Sequence, residues 1–208
     1  MSRIKYGEEI LRIIDELETA SSTNVLSLIK KINRETRQEL GIDIKAFFSN
    51  PTIIEKLIKI GQKYEADDQI LEEIIKTVTN ISWRFEVKPQ NLYDFLVRHI
   101  ESKNNKIKFA IASCVPYFSQ FNNYNEKWEY ILSIPKIAPK KESILLFRWV
   151  IEEQIDEIPS DLKENIVTIM ENYIYKVNLD ITTFKNYIDI VEQLKNTDGS
   201  KKKITLSR

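Results

Sequence analysis

The sequence predicts an all-α protein, a right-handed α-solenoid of about five helical pairs. Apolar residues in one segment, 69–83, fall on one helical face, and the same pattern returns downstream at offsets of 37, 36 and 37 residues. A repeat of this length indicates stacked helical pairs, because a single pair cannot bury its apolar face alone. The chain has only 4 glycines, and no two successive segments show the apolar alternation of strands.

Three positions in the second helix of each pair recur with the period of this repeat. We expect their side chains to form a buried stripe, because residues three and four apart lie on one helical face. The first position is Ile74, Ile111, Phe147 and Phe184, the second is Thr77, Cys114, Val150 and Tyr187, and the third is Val78, Val115, Ile151 and Ile188.

The first helices of the pairs align as well. Pro51, Pro89 and Pro159 each stand where a first helix should begin, a position that tolerates the missing N–H of proline. Two adjacent apolar residues in these helices then recur at offsets of 38, 36 and 35 residues. They are Leu57 and Ile58, Phe95 and Leu96, Ile131 and Leu132, and Ile166 and Val167.

The N-terminal part precedes this regular region. Apolar residues at helical spacing in residues 4–32 indicate a first helical pair. Residues 41–50 then lengthen the spacing to the next pair. We expect Phe47 and Phe48 in this insertion to pack a loop or a short helix against the core.

Prolines inside the pairs should disturb individual helices. Pro116 is expected to kink the second helix of the third pair, and Pro135 and Pro139 are expected to break up the fourth pair. The pairs together predict a single helical-repeat domain over residues 1–195. Residues 196–208 lack apolar periodicity and are predicted to form a disordered basic tail.

The charge of the whole chain is balanced, with 31 basic and 31 acidic residues. It therefore gives no general attraction to nucleic acid or to anionic membranes. The distribution is uneven, because residues 103–149 carry eight basic and three acidic side chains, whereas residues 152–194 carry ten acidic and three basic ones. Two interpretations stay open: chance variation on solvated faces, and a bipolar surface that orients a charged partner.

The hydropathy of the chain favours a cytoplasmic protein. Glu8 and Glu9 interrupt the apolar segment at the N-terminus, which argues against a secretory signal. No run approaches the roughly 20 apolar residues that a membrane span needs. We therefore expect no membrane partner.

Residues that carry chemistry are few. Cys114, the single cysteine, belongs to the buried stripe, so we expect inert packing rather than a nucleophile. His99, the single histidine, is expected at the surface near a helix end, where a cation suits the dipole. Neighbouring carboxylates such as Glu72 and Glu73 diverge by about 100° on a helix and make poor acid–base pairs. With no nucleotide-binding or metal-binding motif, we predict a protein that is not an enzyme and has no catalytic residue, metal site or cofactor.

The aligned pairs resemble the HEAT and armadillo class of helical-repeat proteins. The segment 70–82, ILEEIIKTVTNIS, is similar to the last helix of an armadillo repeat. Asn80 stands where that family has an asparagine that bonds the backbone of an extended peptide. Tyr117, Glu153 and Ile190 occupy the corresponding later positions, so these repeats are closer to the HEAT type. The resemblance implies binding to proteins, or to nucleic acid.

The predicted partner-binding surface lies opposite the buried stripe. A residue two positions after a member of the buried stripe, such as Lys76 after Ile74, points about 200° away from it around the helix. The resemblance implies that the second helices line a concave face. We centre the surface on Trp149, because an exposed tryptophan is favoured as a binding hot spot; the alternative, that Trp149 is core, stays open. The predicted residues are Trp149, Tyr117, Asn80, Lys76, Glu153, Arg148, Ser113 and Asn186.

The leading functional prediction is a non-catalytic protein-binding solenoid with its protein partner on the concave face. Richness in Ile, Lys and Asn suggests a low-GC microbial source. In such a source, one role for a protein-binding solenoid is that of a neutralising protein of the immunity or inhibitor type, and another is that of an adaptor. The alternative is a nucleic-acid-binding HEAT-like protein, such as a relative of the alkylpurine DNA glycosylases. The resemblance to such a glycosylase requires concave aromatic residues, a basic groove and a catalytic aspartate. Trp83, Arg148 and Trp149 would supply part of this set, but the second helices of the middle repeats place no aspartate beside them.

Overall fold

The computed structural model describes residues 3–37, 42–137, 141–174 and 176–196. Within these ranges the chain is all-α, with eleven α-helices and no strand. None of the described helices is both long enough and apolar enough to cross a membrane. The all-α prediction is confirmed.

The chain forms two compact units, Met1–Tyr124 and Asn125–Arg208. The prediction of one continuous domain stays a prediction. The helices of the first unit are α1 (Arg3–Thr19), α2 (Ser22–Thr36), α3 (Ile42–Phe48), α4 (Pro51–Lys63), α5 (Asp68–Phe85), α6 (Gln90–Arg98) and α7 (Asn105–Ala112), followed by 3₁₀ segments at Val115–Tyr117 and Ser119–Asn123. Those of the second unit are α8 (Lys127–Ile137), α9 (Lys141–Glu153), α10 (Ser160–Ile174) and α11 (Ile181–Asn196), with a 3₁₀ segment at Ile155–Glu157.

Helix α5 lies at the centre of the first unit. It packs against α2 on one side and α7 on the other, and α4 covers its apolar face. The first helices also contact one another in order, α1 with α4 and α4 with α6. Gly61 permits this close approach, because a Cβ atom there would lie 2.8 Å from Phe95 Cζ and 3.0 Å from Ile74 Cγ2. The first unit therefore has two layers, α1–α4–α6 and α2–α5–α7.

Short polar side chains fix where the helices of this unit begin. The Asn50 carboxamide accepts a hydrogen bond from the Thr52 N–H, and Pro51 is the first residue of α4. The Asp67 carboxylate accepts from two N–H groups at the start of α5, and the Asn104 carboxamide accepts from the Lys106 N–H at the start of α7. These caps satisfy backbone donors that have no partner inside the helix.

The predicted insertion is a short helix. Helix α3 packs against α1 and α5. Phe48 is fully buried, and its ring stacks on that of Phe85 with centroids 5.2 Å apart. This confirms that the insertion packs against the core.

The second unit is built from two helical pairs. Helix α8 packs against α9, α10 packs against α11, and α9 also contacts both helices of the second pair. Phe147 and Ile151 on α9 and Tyr187 on α11 are fully buried. Ile131 on α8 and Met170 on α10 are fully buried as well, so all four helices contribute to the core of this unit.

The repeat register is correct for the second helices of the middle pairs and only partly correct for the last pair. Ile74, Ile111 and Phe147 are fully buried, whereas Phe184 at the same position is 41% exposed. Phe184 lies in the first turn of α11, which begins at Ile181. Tyr187, the second stripe position of the same helix, is fully buried as predicted.

The predicted effects of the prolines also need correction. Pro116 does not kink a helix, because α7 already ends at Ala112 and Pro116 lies in a 3₁₀ segment. Pro135 does not break α8, because it lies in the last turn, where little helix follows the lost hydrogen bond. Pro139 and the predicted tail from residue 197 onward lie outside the described residues.

Replacing Ile111 with Asp tests the register. Ile111 is fully buried, and an unpaired buried charge costs about 3 kcal/mol or more. We expect chemical denaturation to show a loss of this size. Ile181, which is 80% exposed, provides the matched control, because Ile181→Asp should leave the unfolding free energy nearly unchanged. Equal stability of the two variants would show that the register is wrong.

Candidate partner-binding surface

The predicted surface residues divide between the two units. Those of the first unit are Lys76, Asn80, Ser113 and Tyr117, and those of the second are Arg148, Trp149, Glu153 and Asn186. In the first unit, Lys76, Asn80 and Tyr117 lie on the outer side of the layer that α2, α5 and α7 form. Ser113 follows the end of α7, and its hydroxyl donates to the Ala110 carbonyl at 2.8 Å.

Side-chain amides join α2 to α5. The Asn80 carboxamide donates from Nδ2 to Asn33 Oδ1 at 2.8 Å, and Asn33 Nδ2 donates to Glu73 Oε1 at 2.6 Å. Asn33 is buried, so its polar atoms need these partners. The Asn80 amide is therefore engaged within the protein, whereas the armadillo resemblance implies that it bonds a peptide.

A second polar cluster joins α5 to α7. Glu72 Oε1 accepts from Lys76 Nζ and forms an ion pair with Lys106 Nζ at 3.3 Å. Glu72 Oε2 accepts from Asn104 Nδ2 at 3.0 Å. Burial acts to raise the pKa of Glu72, but the hydrogen bonds from Lys76 and Asn104 outweigh it, and the pKa is lowered. The carboxylate thus stays ionised and neutralises neighbouring lysines.

An aromatic pair, exposed Trp83 and half-buried Tyr117, lies at the C-terminal end of the same face. Trp83 is 58% exposed, and its ring meets that of Tyr117 edge to face with centroids 4.9 Å apart. Lys88 Nζ donates to the Tyr117 carbonyl at 3.0 Å, which fixes the segment that carries Tyr117. The partner surface predicted from the sequence did not include Trp83. Its spacing of seven residues from Lys76, with Asn80 between them, is the signal that places it on this face.

The second unit exposes a second tryptophan. Trp149 is 47% exposed, whereas the neighbouring Arg148 is only 8% exposed. Arg148 Nη1 forms an ion pair with Glu152 at 3.2 Å, and its Cζ lies 5.9 Å from the centre of the Trp149 indole. Arg148 therefore supports the indole instead of presenting a free charge. Glu153 is exposed.

A shallow pocket of about 170 Å³ lies between the end of α9 and the outer side of α11. Its lining includes Asn186, the remaining predicted residue of this unit, together with Glu152 and Asp189. Of the predicted residues of the second unit, Trp149, Glu153 and Asn186 are thus exposed and Arg148 is buried, and only Asn186 lines this pocket.

Cys114 is buried, as the sequence predicts. Burial raises the pKa of its thiol to about 11, against smaller opposing effects of Ser82 and Lys88. A thiol with this pKa is almost entirely protonated at neutral pH and is a poor nucleophile. Among the residues that the structure describes, no three His, Cys, Asp or Glu side chains come together as a metal site.

His99 does not lie on the surface as a cation. It follows the last residue of α6, its side chain is 10% exposed, and its ring meets Phe95 edge to face. Burial lowers its pKa from the ordinary 6.5, the Glu65 carboxylate 3.5 Å away raises it, and Arg98 lowers it. The net shift is downward, so the folded protein favours neutral imidazole.

Comparisons of the chain with protein-family models, with curated proteins and with solved structures gave no match. The function therefore has to be argued from the exposed side chains of each unit and their contacts.

His99 gives a pH-dependence test. Because its folded-state pKa is lowered, the unfolded chain binds the proton more readily as the pH falls below about 6.5. The contribution of neutral His99 to stability is thus present above that pH and is lost below it. The buried carboxyl of Glu35 acts in the opposite sense, because burial raises its pKa.

We therefore expect His99→Gln to flatten the loss of unfolding free energy between about pH 7.5 and pH 5.5, measured by urea denaturation. A His99→Gln profile parallel to that of the wild-type protein would show that folding does not lower the pKa of His99.

Proposed function

We propose that this chain is a non-catalytic protein-binding protein that acts by covering part of its partner's surface. A neutralising protein of the immunity or inhibitor type fits this action, as does an adaptor. The observation that carries the proposal is Trp83, a tryptophan more than half exposed and held in place by Tyr117. Tryptophan and tyrosine are the residues that contribute most often to binding hot spots.

The polar groups beside this pair support the proposal. Asn33, Asn80 and Glu73 are joined by hydrogen bonds of 2.6 to 2.8 Å. A surface whose side chains are already ordered loses less conformational entropy on binding than a flexible one. Trp149 and its neighbours in the second unit offer a second contact region of the same kind.

The proposed architecture is the right-handed solenoid of five pairs, HEAT-like or armadillo-like, with the second helices on the concave face. The layers α1–α4–α6 and α2–α5–α7 in the first unit support it. So does the direction of the helices. Asn104 at the start of α7 contacts Glu72 near the start of α5, while Tyr117, which follows the end of α7, meets Trp83 in the last turn of α5. An experimental structure of the whole chain would test it.

Protein is favoured over nucleic acid as the partner. Lys76 and Lys106 share the carboxylate of Glu72, and Arg148 is buried on Glu152. Nucleic-acid binding draws on lysines and arginines that are free to neutralise phosphates. These three cations are already paired, which weakens the alternative of a glycosylase-like groove.

Replacing Trp83 with Ala tests the proposal. The partner is first captured from the native source, or taken from the products of neighbouring genes, and its affinity is measured by calorimetry. We expect Trp83→Ala to weaken binding by about 2 kcal/mol, roughly thirtyfold in Kd, because hot-spot aromatics contribute at this level. Trp149→Ala measures the contribution of the second unit in the same assay.

Leu11, which is 41% exposed on α1, provides the control, because α1 belongs to the other layer of the first unit. Leu11→Ala should leave both binding and stability unchanged. Full affinity in both tryptophan variants, with their folds intact, would exclude these surfaces as the binding site.

A further inference from the structure

Three cations collect where α2 and α5 end. Arg37 Nε donates to the Asn33 carbonyl at 3.4 Å, and Arg84 Nη1 donates to the Thr36 carbonyl at 3.1 Å. Lys88 Nζ donates to a carbonyl as well, that of Tyr117. We call Arg37, Arg84 and Lys88 the basic edge. All three side chains belong to exposed residues, so their remaining donors face solvent.

The charge of the basic edge is not cancelled by carboxylates. Within the described part of the chain, no carboxylate oxygen lies within 4.0 Å of these cations, in contrast to Lys76 on Glu72. The carbonyls that hold Arg37 and Arg84 belong to the end of α2. A helix end carries a partial charge of about half a unit, which is smaller than the two full charges of these arginines.

Two carboxylates belong to the segments that carry the basic edge. Glu35 is buried and pairs with Arg34 at 3.3 Å. Glu86 is exposed directly after α5 and has a left-handed backbone, with φ of 57°. Glu86 therefore offsets part of the positive potential, and it provides a charge whose removal can be tested.

The aromatic pair lies beside the basic edge. Trp83 is the neighbour of Arg84 in α5, and the Tyr117 carbonyl is the acceptor of Lys88. Apolar surface of the indole is thus flanked by cations that are tethered but not neutralised. Such an arrangement attracts a ligand that offers negative charge and one apolar side chain together.

We infer that the basic edge and the aromatic pair bind an acidic segment of a protein partner, with an aliphatic or aromatic side chain placed against Trp83. This inference rests on the proposed protein-binding function and specifies the partner's chemistry. Complementary charge speeds encounter and sets orientation, while contact with Trp83 supplies the apolar part of the affinity.

An acidic protein segment fits this surface better than a nucleic acid strand. Glu73 lies eleven residues before Arg84 on the same helix, which is about 16 Å along its axis. A strand that follows α5 from the basic edge would bring its phosphates over the carboxylate of Glu73. A protein segment can carry its acidic residues at one end only and avoid this repulsion.

The inference is tested by selecting random peptides, displayed on phage, against the full-length chain. We expect the selected peptides to combine acidic residues with an aliphatic or aromatic residue. As synthetic peptides, they should lose roughly tenfold or more in affinity for Arg84→Gln and for Trp83→Ala. Glu86→Gln should strengthen their binding, and added salt should weaken it, more for the wild-type chain than for Arg84→Gln.

Lys59→Gln is the matched control, because Lys59 is exposed on α4 in the other layer of the first unit. This variant should bind the peptides like the wild-type chain. Basic or neutral selected peptides, no selected peptides, or equal affinity for Arg84→Gln and wild type would overturn the inference. So would a single-stranded oligonucleotide such as dT20 that competes with the peptides at equal concentration.

The outcomes also separate this inference from the proposed function. Peptides that depend on Trp83 but not on Arg84 leave protein binding in place and refute the acidic partner. Peptides whose affinity depends on neither Trp83 nor Arg84 would refute both the acidic partner and protein binding at this surface.

Discussion

The first unit depends on burying one face of α5. This helix has 18 residues, and an isolated helix of that length is barely stable in water. Ile74, Ile75, Val78 and Ile81 are all fully buried, and burial of such side chains contributes about 2 kcal/mol each. The helices α2, α4 and α7 supply the covering surfaces, so each of them is positioned relative to α5.

Burial of this face also determines the candidate site. With Ile74 and Val78 facing inward, the helical period turns Lys76, Asn80 and Trp83 outward. Polar contacts to α2 and α7 then order this outer face, because Asn80 reaches Asn33 and Glu72 reaches Asn104. The order of the binding surface is thus a consequence of packing in the core beneath it.

Sequence periodicity predicts buried positions well when a neighbouring helix covers them. It predicts the burial of Ile74, Ile111, Phe147 and Tyr187 and fails at Phe184, which lies in the first turn of α11 and is 41% exposed. His99 was misplaced for a related reason, because its burial comes from contacts across helices and not from its position at a helix end. The pairing of Trp83 with Tyr117 joins residues 34 positions apart, a separation for which the sequence carries no local signal.

The central claim is that Trp83 is at the contact with a protein partner. The most direct measurement is fluorine NMR of the full chain labelled with 5-fluorotryptophan, which reports on all 3 tryptophans at once. On addition of the partner, the signal of Trp83 should shift, while that of the half-buried Trp128 on α8 should move least. A complex that forms with the Trp83 signal unchanged would contradict the account.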